Sequence, residues 1–180
     1  MRRAGLGCDI DVAILSAGFG LVTEEQIIVP YDITFSSMGK QEIQAWADFL
    51  DIPASVQQWF EAKGDLNLVL LGDAYLEAAS MDASWQIATP TILFCGSVAA
   101  SRLPDWHNVR KVTLTREDAR RLRQGLVWIK GYLASRLLER VCREPGFLHR
   151  LFDLHLDLIG ELAGLSEAGK QLSLLYPPAK

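Results

Sequence analysis

Ser16, Gly18, Phe19, Gly20, Tyr31 and Asp32 are the residues whose types and spacing suit chemistry best. Glycines admit positive φ and let backbone N–H groups come close to a ligand. Phe19 and Tyr31 are aromatic surfaces on which a base can stack. Asp32 can accept a hydrogen bond from a base edge, or orient water against a glycosidic carbon as a general base. The competing reading is a structural turn, with the glycines serving backbone geometry and Phe19 packed in a core. Asp73, after a second apolar run, has the same two readings: a ligand contact, or a carboxylate stabilised at a helix start. Ser97 follows a third run and lacks a nucleophile-elbow pattern. Neither GxGxxG nor GxxxxGK[ST] occurs, and no cofactor is expected.

A second group is basic. Arg116, Arg120, Arg121, Arg123, Lys130, Arg136, Arg140 and Arg143 outnumber Glu117, Asp118, Glu139 and Glu144 in one stretch. Such a stretch, with Arg120, Arg123 and Lys130 as its named contacts, can meet nucleic-acid phosphates without choosing a sequence. The alternative is a solvated helix face with i,i+4 pairs. His149 and Asp153 are four apart and His155 and Asp157 lie nearby, but metal binding would need further ligands, and no metal is expected. Cys8, Cys95 and Cys142 form no CxxC pair and read as small buried hydrophobes in a reducing compartment.

The elements that must position these groups follow from pattern. The 180 residues suit one domain, and a chain 49% hydrophobic and 22% charged is globular rather than disordered. The net charge of -4 excludes a protein coated in basic residues. Nothing approaches the roughly 18 apolar residues of a membrane span. Arg2-Arg3 leads into no apolar signal-peptide core, so a cytoplasmic protein is expected. Val12 to Leu15, Leu66 to Leu71 and Thr91 to Cys95 are apolar runs of strand length, each emptying into small residues: Ser16-Ala17-Gly18, Gly72-Asp73 and Gly96-Ser97. If the strands are parallel, the three turns share one sheet edge, where open α/β sheets bind ligands.

Ser36-Ser37 offers an N-cap to a helix over Lys40 to Asp51, with Ile43, Trp46, Ala47 and Leu50 on one face. Pro53 suits the start of a second helix ending near Lys63. A helix carrying Tyr75, Leu76 and Ala79 follows Asp73. Leu103 to His107 reads as loop and Val109 to Leu114 as an edge strand. Thr115, with Asp118 three residues on, opens a helix expected to reach Cys142 through Gly125 and Gly131, each costing up to about 1 kcal/mol relative to alanine. Phe147 to Ala163 is expected as a last helix, whose wide apolar face allows a homodimer. The tail from Gly164 is weakly patterned. The expected fold is α/β: a small, mainly parallel sheet with helices on both faces and two C-terminal helices. It forms a single domain over residues 1–180, with 146–180 as a helical extension.

Ile14-Leu15-Ser16-Ala17, then Gly20-Leu21, then Pro30-Tyr31-Asp32 resembles a bacterial and phage domain family of unknown function with an LSAxxGL strand-turn and a PYD corner. That group is similar to the YaaA peroxide-stress proteins and to the glycosylase-like domain of archaeosine-synthesis enzymes. The resemblance covers roughly residues 10 to 140 and is specific in its first segment. It implies a partner among nucleobases, nucleotides and nucleic acids, and a setting in DNA modification, repair or phage defence. An N-glycosidic-bond enzyme with Asp32 as base, and a non-catalytic nucleotide sensor, are the other readings. Members of the group carry a further strand, a Cys/Ser- and Lys-rich turn and a helix before the LSA strand. That unit is expected to be absent here, through loss or a start placed downstream of the true one.

Overall fold

The computed structural model describes residues 8–164, so the lead-in before Cys8 and the tail beyond Gly164 lie outside the described residues. The architecture is mixed α/β, with a three-stranded parallel sheet, a separate antiparallel pair of strands and, among the described residues, eight helices. Backbone contacts divide the chain into two compact units. One is built on Ile10–Leu114, the other on the residues from Thr115 onward together with Cys8 and Asp9.

The first unit opens with a hairpin, β1 (Ala13–Ser16) against β2 (Gly20–Thr23), with Ser16 opposite Gly20. This corrects the expectation that the first apolar run joins the parallel sheet. Gly20 at φ 71 lets the chain reverse at once, and Leu21 and Val22 supply the returning strand. A 3-10 turn at Phe35–Ser37 is capped by Thr34, whose hydroxyl accepts the Ser36 N–H at 3.3 Å. The serines therefore belong to that turn. Helix α1 (Lys40–Phe49) starts after Gly39, whose N–H donates to Glu42 Oε2 at 2.8 Å. Helix α2 (Ile52–Glu61) follows, with Pro53 in its first turn, where the missing N–H costs nothing.

Strands β3 (Asn67–Val69), β4 (Thr91–Cys95) and β5 (Val109–Thr113) form the parallel sheet in that order. All five residues of β4 are buried, as a central parallel strand requires. Each crossover carries a helix, α3 (Asp73–Ala79) or α4 (Ser97–Arg102). Phe35, Ala47, Ile52, Phe60, Leu93 and Cys95 lie in one continuous core. Lys111 on β5 donates to the carbonyls of Ala100 and Leu103, both at 3.0 Å, and pairs with Asp105, so it satisfies acceptors at the end of α4.

In the second unit the expected capping box forms. Thr115 Oγ1 accepts the Asp118 N–H at 3.2 Å, and Asp118 Oδ2 accepts the Thr115 N–H at 2.8 Å. The helix it opens, α5, ends at Arg121. The expected single helix to Cys142 is broken: Arg123 turns left-handed at φ 53, and α6 begins at Ile129 and runs to Arg143. The last expected helix is likewise split into α7 (Phe147–Arg150) and α8 (Leu158–Leu162). Between them Asp153 accepts the His155 N–H at 2.9 Å, and Asp157 caps α8 through the Gly160 N–H at 3.0 Å. Both aspartates bond their own backbone in preference to continuing a helix. Ile129, Leu133, Leu137, Phe147, Leu151, Leu158 and Leu162 are buried. Among the described residues no helix is long and apolar enough to cross a membrane.

The cysteines depart from expectation. Cys8 and Cys142 are joined in a disulfide, and Cys95 is a buried thiol outside that bridge. Alkylation of the unfolded, unreduced protein is expected to label Cys95 alone, with Cys8 and Cys142 labelled only after reductant. Three labels without reductant would contradict the cross-link.

Candidate functional site

Ser16 ends β1 and is buried. Its Oγ accepts the N–H groups of Gly18 and Phe19, both at 3.2 Å, and donates to the Tyr31 hydroxyl at 2.7 Å. A serine hydroxyl has one donor and two acceptor sites. All three are used, so Ser16 acts as a clasp and has no lone pair to spare as a nucleophile.

The other residues of the first loop gather round it. The Tyr31 ring lies on Gly18, where an added Cβ would stand 2.8 Å from Tyr31 Cδ2. Phe19 meets the same ring edge-on at 5.3 Å. Trp46 on α1 donates its indole N–H to the Ala17 carbonyl at 2.7 Å. Gly20 faces the Leu50 carbonyl, which a Cβ would approach to 2.9 Å. Ser16, Gly18, Phe19, Gly20 and Tyr31 are thus brought together, while Asp32 follows in an exposed stretch without helix or strand. The rings of Phe19 and Tyr31 remain partly open to solvent.

The remaining candidate, Asp73, stands at the carboxyl end of the parallel sheet. Strand β3 leads to Gly72-Asp73 and β4 to Gly96-Ser97, and the Asp73 carboxylate oxygens lie 3.6 Å from the point a Gly96 Cβ would occupy. Two turns named in the sequence therefore adjoin, with Asp73 and Ser97 exposed. A carboxylate beside bare backbone can accept hydrogen bonds from hydroxyl, amino or ring N–H groups of a ligand. Four residues after Pro30, the same chain segment reaches α3: Thr34 Oγ1 is 3.4 Å from the Tyr75 hydroxyl, and Phe35 packs edge-on to the Tyr75 ring at 5.2 Å. Sequence reasoning did not find Thr34 or Trp46 as parts of this region. Trp46 was visible only as one apolar position on a helix face.

An open depression lined by Trp85, Ile87, Trp106 and His107 lies beside the segments that enter β4 and β5, the edge opposite Asp73. Nearby, Ser84 bonds through its hydroxyl and its N–H hold the Asp82 carboxyl below its usual range. In the second unit Arg120 sits in α5, Arg123 in the loop after it and Lys130 in α6, so the helix break takes them off a common helix face. Arg136 pairs with Glu139, and Arg140 with Glu144 and Glu161, as a solvated face would. Among the described residues no three His, Cys, Asp or Glu side chains are grouped to hold a metal ion.

The clasp predicts a ranking of glycine substitutions. Gly18→Ala must displace the Tyr31 ring, an overpacking cost of about 1–3 kcal/mol. Gly20→Ala meets an unyielding carbonyl and adds left-handed strain of about 1–2 kcal/mol. Gly72→Ala has open space at its Cβ. Thermal denaturation should show both clasp variants melting well below Gly72→Ala; equal melting of all three would contradict the geometry.

No curated protein and no solved structure matches the chain. Residues 6–94, which span the hairpin, the Tyr31 segment, α1 to α3 and most of β4, match the model of a family of unknown function (DUF6884).

Proposed function

We propose that the chain is a nucleobase- or nucleic-acid-related domain of the YaaA-like kind, serving DNA modification, repair or phage defence in a bacterial or phage-infected cell. Its ligand site is the carboxyl edge of the parallel sheet. The observation that carries this reading is the placement of the Asp73 carboxylate beside Gly96, where two parallel strands end. Open α/β sheets take ligands at that edge. Exocyclic amines and ring N–H groups of a base, or ribose hydroxyls, are donors that an exposed carboxylate accepts. The likeness of the LSAGFGL and PYD segments to that group supports the ligand class.

Binding without catalysis suits the side chains best, since Ser16 is saturated and Asp32 stands in an exposed stretch. The second reading, an N-glycosidic enzyme, rests on the exposed Asp32 next to the partly open Tyr31 and Phe19 rings.

A thermal-shift screen with free bases, nucleosides and nucleotides tests the proposal. A ligand of the folded state at a hundred times its Kd stabilises by about 2.7 kcal/mol. At least one compound should raise the melting temperature of the wild type and of Asp32→Asn, and fail to raise that of Asp73→Asn. Absence of any shift would refute the binding reading. Release of free base from a nucleoside or DNA, abolished by Asp32→Asn, would replace it with the enzyme.

A further inference from the structure

Two surfaces expose consecutive large apolar residues, and they carry opposite charge. In the first unit, Ile27, Ile28 and Val29 stand out from a stretch without helix or strand, with Ile27 fully exposed and Val29 66% exposed. Hydrogen bonds from Gln26 N–H to the Thr23 carbonyl at 3.2 Å and from Thr23 N–H to Gln26 Oε1 at 2.7 Å fix the turn that presents them. Glu25 and Asp32, both exposed, flank the apolar run. In the second unit, Leu126, Val127 and Trp128 project from the break between α5 and α6, with Val127 85% and Trp128 74% exposed. This loop is also held in place. Gln124 N–H donates to the Ala119 carbonyl and Trp128 N–H to that of Gly125, both at 2.9 Å, and the Trp128 ring lies against Gly125. Arg120, Arg121 and Arg123, all exposed, flank it.

Single exposed apolar side chains are ordinary, but consecutive ones on an ordered loop mark an interaction surface. The charge pattern selects the occupant. Residues 10–114 carry thirteen acidic and five basic side chains, whereas residues 115–164 carry seven acidic and nine basic. An apolar run rimmed by carboxylates matches an apolar loop rimmed by guanidiniums, and such rims steer encounter and fix register. Tryptophan and arginine are also the side chains most enriched at the centres of interfaces.

We propose that the protein self-associates through these two unlike surfaces, the Glu25–Asp32 segment of one copy receiving the Arg120–Trp128 loop of a second. The contact is heterologous: each copy offers both halves, and neither half pairs with its own kind. Ile27 and Val29 meet Val127 and Trp128 at the centre, and the charged residues form the rim.

Light scattering coupled to size-exclusion chromatography of the full chain, over a concentration series, tests this. The wild type is expected to show a mass above the monomer that falls with dilution and with added salt. Ile27→Ser/Val29→Ser and Val127→Ser/Trp128→Ser should each be monomeric, with wild-type circular dichroism and melting temperature showing that both fold. Mixing the two variants should restore a dimer, because each retains the half that the other lacks. A monomeric wild type at every concentration overturns the proposal, including the case in which the Arg120–Arg123 surface binds duplex DNA instead. So does association lost in only one variant, since that result means that like surfaces pair, and so does a mixture that stays monomeric, since the two intact halves then do not bind each other.

Discussion

The hydrogen bond from Ser16 to the Tyr31 hydroxyl, 2.7 Å long, is the contact around which the first unit is arranged. Ser16 closes the hairpin turn through two backbone N–H groups and holds the extended segment that follows β2 through its third bond. A side-chain hydrogen bond contributes about 1 kcal/mol net, but loss of its partner strands a buried polar group at a larger cost. Ser16 is almost wholly buried, so its hydroxyl needs the acceptor that Tyr31 supplies. The segment therefore leaves the hairpin in a fixed register and delivers Thr34 and Phe35 to Tyr75 on α3. Helix α1 is tied to the same turn from the other side through the Trp46 indole, and the Leu50 carbonyl after it lies close to Gly20. The helix that begins with Asp73 is thus braced by a clasp more than forty residues earlier in the chain.

This division of labour separates two roles that the sequence left merged. Small residues, an aromatic and a carboxylate in one loop look the same whether they hold a ligand or hold the chain. In the structure Ser16, Gly18 and Tyr31 hold the chain: every hydrogen-bonding site of the serine is spent and the tyrosine ring covers the glycine. Asp73, which has the plain sequence context of a helix start, instead stands where two parallel strands end and backbone is bare. On the reading proposed above, the ligand carboxylate is the one with the less conspicuous motif.

Much of the fold was legible. Strands β3, β4 and β5 and helices α1 and α2 fall within a few residues of their expected places, since apolar runs and i, i+3, i+4 spacing report burial directly. Three features were not. The first apolar run says that Ala13 to Ser16 is a strand, but not which strand it pairs with, and the left-handed Gly20 sends it into a hairpin. Apolar spacing continues from Ala119 to Val141 straight across the break at Arg123, because both helices bury the same kind of side chain. The Cys8–Cys142 bridge joins residues 134 apart, and no local spacing encodes such a contact. The Ser16–Tyr31 hydrogen bond joins residues fifteen apart, and no local pattern encodes it.

A double-mutant cycle on Ser16→Ala and Tyr31→Phe tests the clasp most directly, read as unfolding free energy from denaturant titration. Tyr31→Phe removes the acceptor of the Ser16 hydroxyl, Ser16→Ala removes in addition the acceptor of the Gly18 and Phe19 N–H groups, and the double variant lacks both hydroxyls. The account predicts non-additivity, with the double variant about as stable as Ser16→Ala alone and a coupling on the order of 1 kcal/mol. Additive losses would mean that the two hydroxyls do not act on each other, and that the first unit is held together in some other way.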